Sequence, residues 1–185
     1  MRVIAGTAKG RRLFTPKTDA IRPVLDQVKE AIFNILFDVN GMKVLDLFAG
    51  TGAMGIEALS RGAQYAYFVD VLKGAVRLIG KNLESCHFAE QGTVLEMTAA
   101  KAIRILSEQK KEFDLIFVDP PYEKHFIKKT LGALATSPLL HENTLVISEH
   151  HPKETPPVME GLCLTDQRKY GQTTISFFKK SGGKI

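Results

Sequence analysis

Cysteine is scarce in this chain, and what there is rules out a class of folds. Cys86 and Cys163 have neither metal-ligand spacing nor the density of a disulfide framework. No apolar run approaches the roughly 20 residues that cross a bilayer. The opening MRVIAGTAKGRR lacks the apolar core of a secretory signal. There is no internal repeat, and apart from the terminal KKSGGK there is no low-complexity tract. These absences point to a chain of the reducing cytoplasm, with no membrane partner. Its 185 residues, 44% of them hydrophobic, suffice for one well-buried domain and a small appendage.

Charge is unevenly spread. Residues 1–30 hold seven Lys/Arg against three Asp/Glu, and residues 168–185 hold five against none, so the middle is net acidic although the whole chain carries +5. Basic ends around an acidic middle suggest that the ends meet a polyanion. Lysines and arginines that merely keep the surface soluble would give the same count.

Short runs rich in Val, Ile, Leu and Phe recur at 44–49, 65–70, 93–97, 114–119 and 144–149, with helically spaced segments between them. That alternation predicts crossover units, hence an α/β fold with a mostly parallel sheet covered by helices on both faces. After Pro156-Pro157, CLTDQRKYG and TTISFFKK predict a closing antiparallel hairpin at the sheet edge. Ahead of the sheet, MRVIAGTAKGRRLFTP reads as two short strands around a turn. A helical stripe of Val24, Val28, Ile32, Ile35 and Val39 follows, with Pro23 in its first turn. The expected organisation is a basic extension over 1–23, a main domain over 24–180 and a disordered tail over 181–185.

VLDLFAGTGAMG carries Gly50, Gly52 and Gly55 at dinucleotide-loop spacing, and Asp70 follows at the distance expected of a ribose-binding acid. Asp46, just before the loop, does not suit that cofactor. Its carboxylate would repel a pyrophosphate but attract a cationic amine and a sulfonium. S-adenosylmethionine has both, with a ribose diol for Asp70. The competing reading makes Asp46 a turn cap and the glycines mere packing. Phe48 and Val71, beside the loop and beside Asp70, complete the expected cofactor set of Asp46, Phe48, Gly50, Gly52, Asp70 and Val71.

DLIFVDPPY adds chemistry for an acceptor. An amino group on an aromatic ring is a poor nucleophile, because its lone pair is delocalised. The Asp119 carboxylate and the Pro120 carbonyl supply two acceptors for its hydrogens, held in direction by prolines of fixed φ, and Tyr122 offers a face for an extruded base. Asp119 capping the next helix is the alternative. His150 and His151 have no further ligands to complete a metal site and read as a strand-end pair in solvent. Phe33, Phe37, Phe48 and Phe68 read as core aromatics rather than a stacking surface.

VLDLFAGTGAMGIEALSRGA, FVDPPY, MRVIAGTAKGRRL, RPVLDQVKEAIFNIL and YGQTTISFF together resemble the bacterial RsmD-like guanine-N2 methyltransferases of small-subunit ribosomal RNA, from Arg2 to Phe178. The chain departs from the family at Val24, where Thr is usual, and at Lys101, where Asp or Asn is common. The resemblance implies a Rossmann-like class I methyltransferase with a seven-stranded sheet and a small N-terminal β-hairpin extension. It also implies S-adenosylmethionine as cofactor and, as substrate, small-subunit RNA in a partly assembled particle. Lys9, Arg11, Arg12, Arg22 and Tyr170 are the expected RNA contacts; Asp119, Pro120 and Tyr122 are the expected catalytic residues of a monomeric enzyme without a metal. An adenine-N6 methyltransferase, a nicotinamide-dependent reductase and a non-enzymatic RNA-binding assembly factor are the rival readings.

Overall fold

The computed structural model describes residues 1–15, 26–121, 126–154 and 156–181, in two compact units, Met1–Thr98 and Ala99–Ile185. The first unit runs α1 (Asp26–Leu36), β1 (Lys43–Leu47), α2 (Ala53–Ser60), β2 (Tyr65–Asp70), α3 (Lys73–Ser85) and β3 (Gly92–Glu96), with a short 3-10 turn at Ala89–Gln91. The second runs α4 (Ala99–Glu108), β4 (Phe113–Val118), α5 (Phe126–Ala135), β5 (Leu140–His150), β6 (Leu162–Tyr170) and β7 (Thr173–Lys180).

In the first unit the strands lie in the order β3-β2-β1, all parallel, with Lys43 opposite Tyr65 and Ala66 opposite Gly92. Parallel strands are joined by crossovers, so the carboxyl ends of β1, β2 and β3 share one edge. Val44, Leu45 and Leu47 of β1 and Ala66, Phe68 and Val69 of β2 are buried, as continuous apolar strands require. Gly55 of α2 permits a close helix–strand approach, since a Cβ there would sit 2.3 Å from the Phe68 ring. In the second unit the order is β4-β5-β7-β6; β4 and β5 are parallel, and β7 runs antiparallel to both neighbours. The expected closing hairpin is present, turning at Gly171 (φ 60°) with β6 outermost. The fold is therefore a Rossmann-like α/β architecture with a mixed seven-stranded sheet, in which β7 runs antiparallel to its neighbours. Among the described residues, no helix is long and apolar enough to cross a membrane.

The N-terminal segment closes on itself through a single antiparallel bridge between Arg2 and Arg12, shorter than two full strands. The Val3 amide donates to the Arg11 carbonyl (2.9 Å) and the Gly10 amide to the Val3 carbonyl (2.9 Å). Val3, Ala8 and Leu13 turn inward while Lys9, Arg11 and Arg12 remain exposed.

Three expectations need correction. Ile35 is exposed; Val28, Ile32 and Phe33 of α1 are buried as expected, and Lys29, outside the expected stripe, is buried with them. Phe37 is 96% exposed at a left-handed φ of 63°, because α1 ends at Leu36 and the backbone leaves helical geometry there. His150 is 1% exposed rather than solvated. It lies inside the β5–β7 ladder, where its Nε2 meets Ser176 Oγ at 2.8 Å.

Candidate functional site

In the first unit the glycine loop leaves β1 with left-handed backbone at Phe48 (66°), Gly50 (57°) and Gly52 (77°). A non-glycine residue in that region costs on the order of 1 kcal/mol, and such strain collects at ligand sites. Two carboxylates shape the loop. Asp46, 3% exposed, accepts from the Gly55 amide at 3.1 Å through Oδ2. Asp70 accepts from the Gly50 amide at 2.9 Å through Oδ2 and from the Leu72 amide at 2.9 Å through Oδ1. Burial pushes the Asp46 carboxyl up to about 7, against the Gly55 hydrogen bond, and the nearby Asp70 charge adds to the rise. Val71 and Leu72 follow exposed.

A loop whose backbone amides are held by two carboxylates suits a cation better than a pyrophosphate, which would add negative charge beside them. Asp46 thus holds the loop backbone through the Gly55 amide, the geometry of a turn cap.

In the second unit Asp119 and Pro120 leave the carboxyl end of β4, Asp119 half-buried, Pro120 buried and Pro121 exposed. Tyr122 and Arg22 lie outside the described residues. Tyr170 closes β6, half-buried. The Ser148 hydroxyl, on β5 opposite Val118, is buried with no partner among the described residues. Among the described residues no cluster of three or more His, Cys, Asp or Glu is placed to hold a metal.

A buried polar network escaped the sequence reading. Glu57 of α2 accepts from the Ile4 amide (2.8 Å) and the Ala5 amide (3.0 Å), and pairs with Arg61 (2.8 Å) and with the fully buried Lys29 (3.3 Å). Lys29 Nζ also donates to the Arg2 carbonyl at 2.6 Å; burial lowers its pKa while Glu57 opposes that shift. Ser60 accepts from the Ala8 amide at 3.0 Å and donates to the Ala5 carbonyl at 2.5 Å. The basic turn is therefore seated on α2, the helix that the glycine loop opens. The one sequence signal was an i, i+4 Glu57–Arg61 pair, which usually marks a solvated helix face.

A family model described as Conserved hypothetical protein 95 matches residues 1–179. Ribosomal RNA small subunit methyltransferase D of Haemophilus influenzae is 32% identical over 80% of this chain and 78% of its own length. The chain belongs to this RsmD-like family. The Escherichia coli K12 protein of the same name is 29% identical over 97% of this chain and 90% of its own length. The solved structure of yhhF from Escherichia coli superposes with a TM-score of 0.86 at 28% identity, covering 97% of each chain. The class I methyltransferase fold is shared across that length.

Proposed function

We propose that this RsmD-like chain transfers a methyl group from S-adenosylmethionine to the N2 amine of a guanine in small-subunit ribosomal RNA, as a cytoplasmic monomer acting on a partly assembled particle. The observation that carries this reading is the Asp119-Pro120 pair at the end of β4 in a chain that matches relatives named small subunit methyltransferase D over nearly its full length. Asp46, Phe48, Gly50, Gly52, Asp70 and Val71 hold the cofactor, with Asp70 toward the ribose diol and Asp46 toward the cationic end. The bound cofactor supplies an electrophilic methyl on a positive sulfur, so catalysis consists mainly of alignment. The Asp119 carboxylate and the Pro120 carbonyl accept hydrogen bonds from the two amine N–H groups, orient the nitrogen and stabilise the positive charge that develops on it, and the methylated nitrogen then sheds one proton to water. Tyr122 stacks on the base. Lys9, Arg11, Arg12, Arg22 and Tyr170 hold the RNA.

The test is methyl transfer to small-subunit particles from cells lacking the gene, read by nucleoside mass spectrometry. The expected product is N2-methylguanosine. Asp119→Ala should lower the rate by roughly two to three decades, the scale of one lost transition-state contact, while calorimetry shows cofactor affinity within a few-fold of the parent. Methyl found on adenine N6, or equal loss of binding and turnover in Asp119→Ala, would overturn the assignment.

A further inference from the structure

Phe14 is a large apolar side chain left 54% exposed at the end of the basic turn. Its backbone is nevertheless tightly held. The Phe14 amide donates to Asn82 Oδ1 at 2.7 Å, and the Phe14 carbonyl accepts from Asn82 Nδ2 at 3.1 Å. Asn82, on α3, is fully buried, and the same Nδ2 donates to the Thr51 carbonyl of the glycine loop at 2.9 Å. Leu13, the preceding residue, is buried. One buried amide therefore presents an aromatic ring to solvent and ties its backbone to the glycine loop.

The ring's neighbours in the chain state what kind of surface it meets. Lys9, Arg11 and Arg12 are exposed on the same turn. An apolar partner flanked by cations is disfavoured, since covering the ring would also desolvate the charges. A single-stranded polynucleotide meets both demands, with phosphates for the cations and a π-face for the ring. We infer that Phe14 is a stacking platform for an unpaired base of the bound RNA, on the glycine-loop side of the first unit. This rests on the RNA reading above and adds to it a requirement for unpaired sequence in the bound RNA.

The chain contains no tryptophan, so Phe14→Trp introduces a lone indole reporter. The probes are an RNA hairpin with an unpaired guanine-containing loop and a fully paired RNA duplex of equal length. The hairpin should quench the indole emission on binding, and the duplex should leave it nearly unchanged. Phe14→Ala should weaken hairpin binding by roughly 5- to 150-fold, the range for one lost base–aromatic stack. It should leave duplex binding and the melting temperature unmoved. Salt-dependent hairpin binding that is the same in Phe14→Ala as in the parent, or an indole that bound hairpin does not quench, would overturn the platform alone. A parent that binds neither RNA would overturn the platform, and one that also fails to bind small-subunit particles from cells lacking the gene would overturn the RNA reading with it.

Discussion

At the scale of single residues, Asp46 couples stability to binding. An acid whose folded pKa, here about 7, exceeds its unfolded value of 3.8 favours the native state most when protonated. Its contribution is complete below the unfolded value and is lost as pH rises toward 7. Asp46→Asn keeps an oxygen for the Gly55 amide and removes the titration. Urea unfolding should therefore show the variant gaining on the parent by a few kcal/mol at about pH 8, at about 1.4 kcal/mol per unit of pKa shift, with little difference near pH 4. The same variant should bind S-adenosylmethionine more weakly at about pH 8, because the counter-charge is gone. His150 works in the opposite sense. Burial lowers its pKa, and because Nδ1 faces the His151 carbonyl at 3.0 Å, the neutral ring carries its proton there and accepts from Ser176 through Nε2. Its contribution is present above the ordinary histidine range and falls away as pH drops. The slope left in Asp46→Asn near pH 6 should thus be positive.

At the scale of elements, α2 joins two tasks. Its first turn closes the glycine loop, and Glu57 and Ser60 further along seat the basic turn. Glu57→Ala leaves Lys29 buried without its main counter-ion and frees the Ile4 and Ala5 amides. Losing one partner of a buried pair costs about 3–5 kcal/mol, so thermal unfolding should shift strongly downward. Lys29→Met should cost less, since Arg61 still neutralises Glu57. The strands were legible in the sequence because their apolar runs are continuous; β2 begins and ends at the expected residues, and the others shift by a residue or a few. The polar network was not legible. A lysine within an apolar stripe reads as a break in it until the partner is known, and that partner lies two elements away. His150 failed for a related reason: at a strand end, burial depends on what the neighbouring strand supplies, and Ser176 is 26 residues downstream.

At the scale of the whole molecule, the segregation of charge sets how the chain meets its substrate. Replacing Lys9, Arg11 and Arg12 with Ala should weaken RNA binding and reduce its salt slope by about 0.7 per lost contact on single strands or 0.9 on duplex, measured by titration at several salt concentrations. Solvated cations without a phosphate partner would leave the slope unchanged. Charge distribution and motif order are properties of the sequence, so they were available before any fold; the seating of the turn on α2 was not. The two thiols differ in a way that offers a clock. Cys86 ends α3 buried, with burial raising its pKa, while Cys163 lies exposed on β6. A maleimide should consume one equivalent at once and the second only as fast as the end of α3 opens. The slow phase would then time local opening of the first unit, in a chain that needs no engineered probe to be watched.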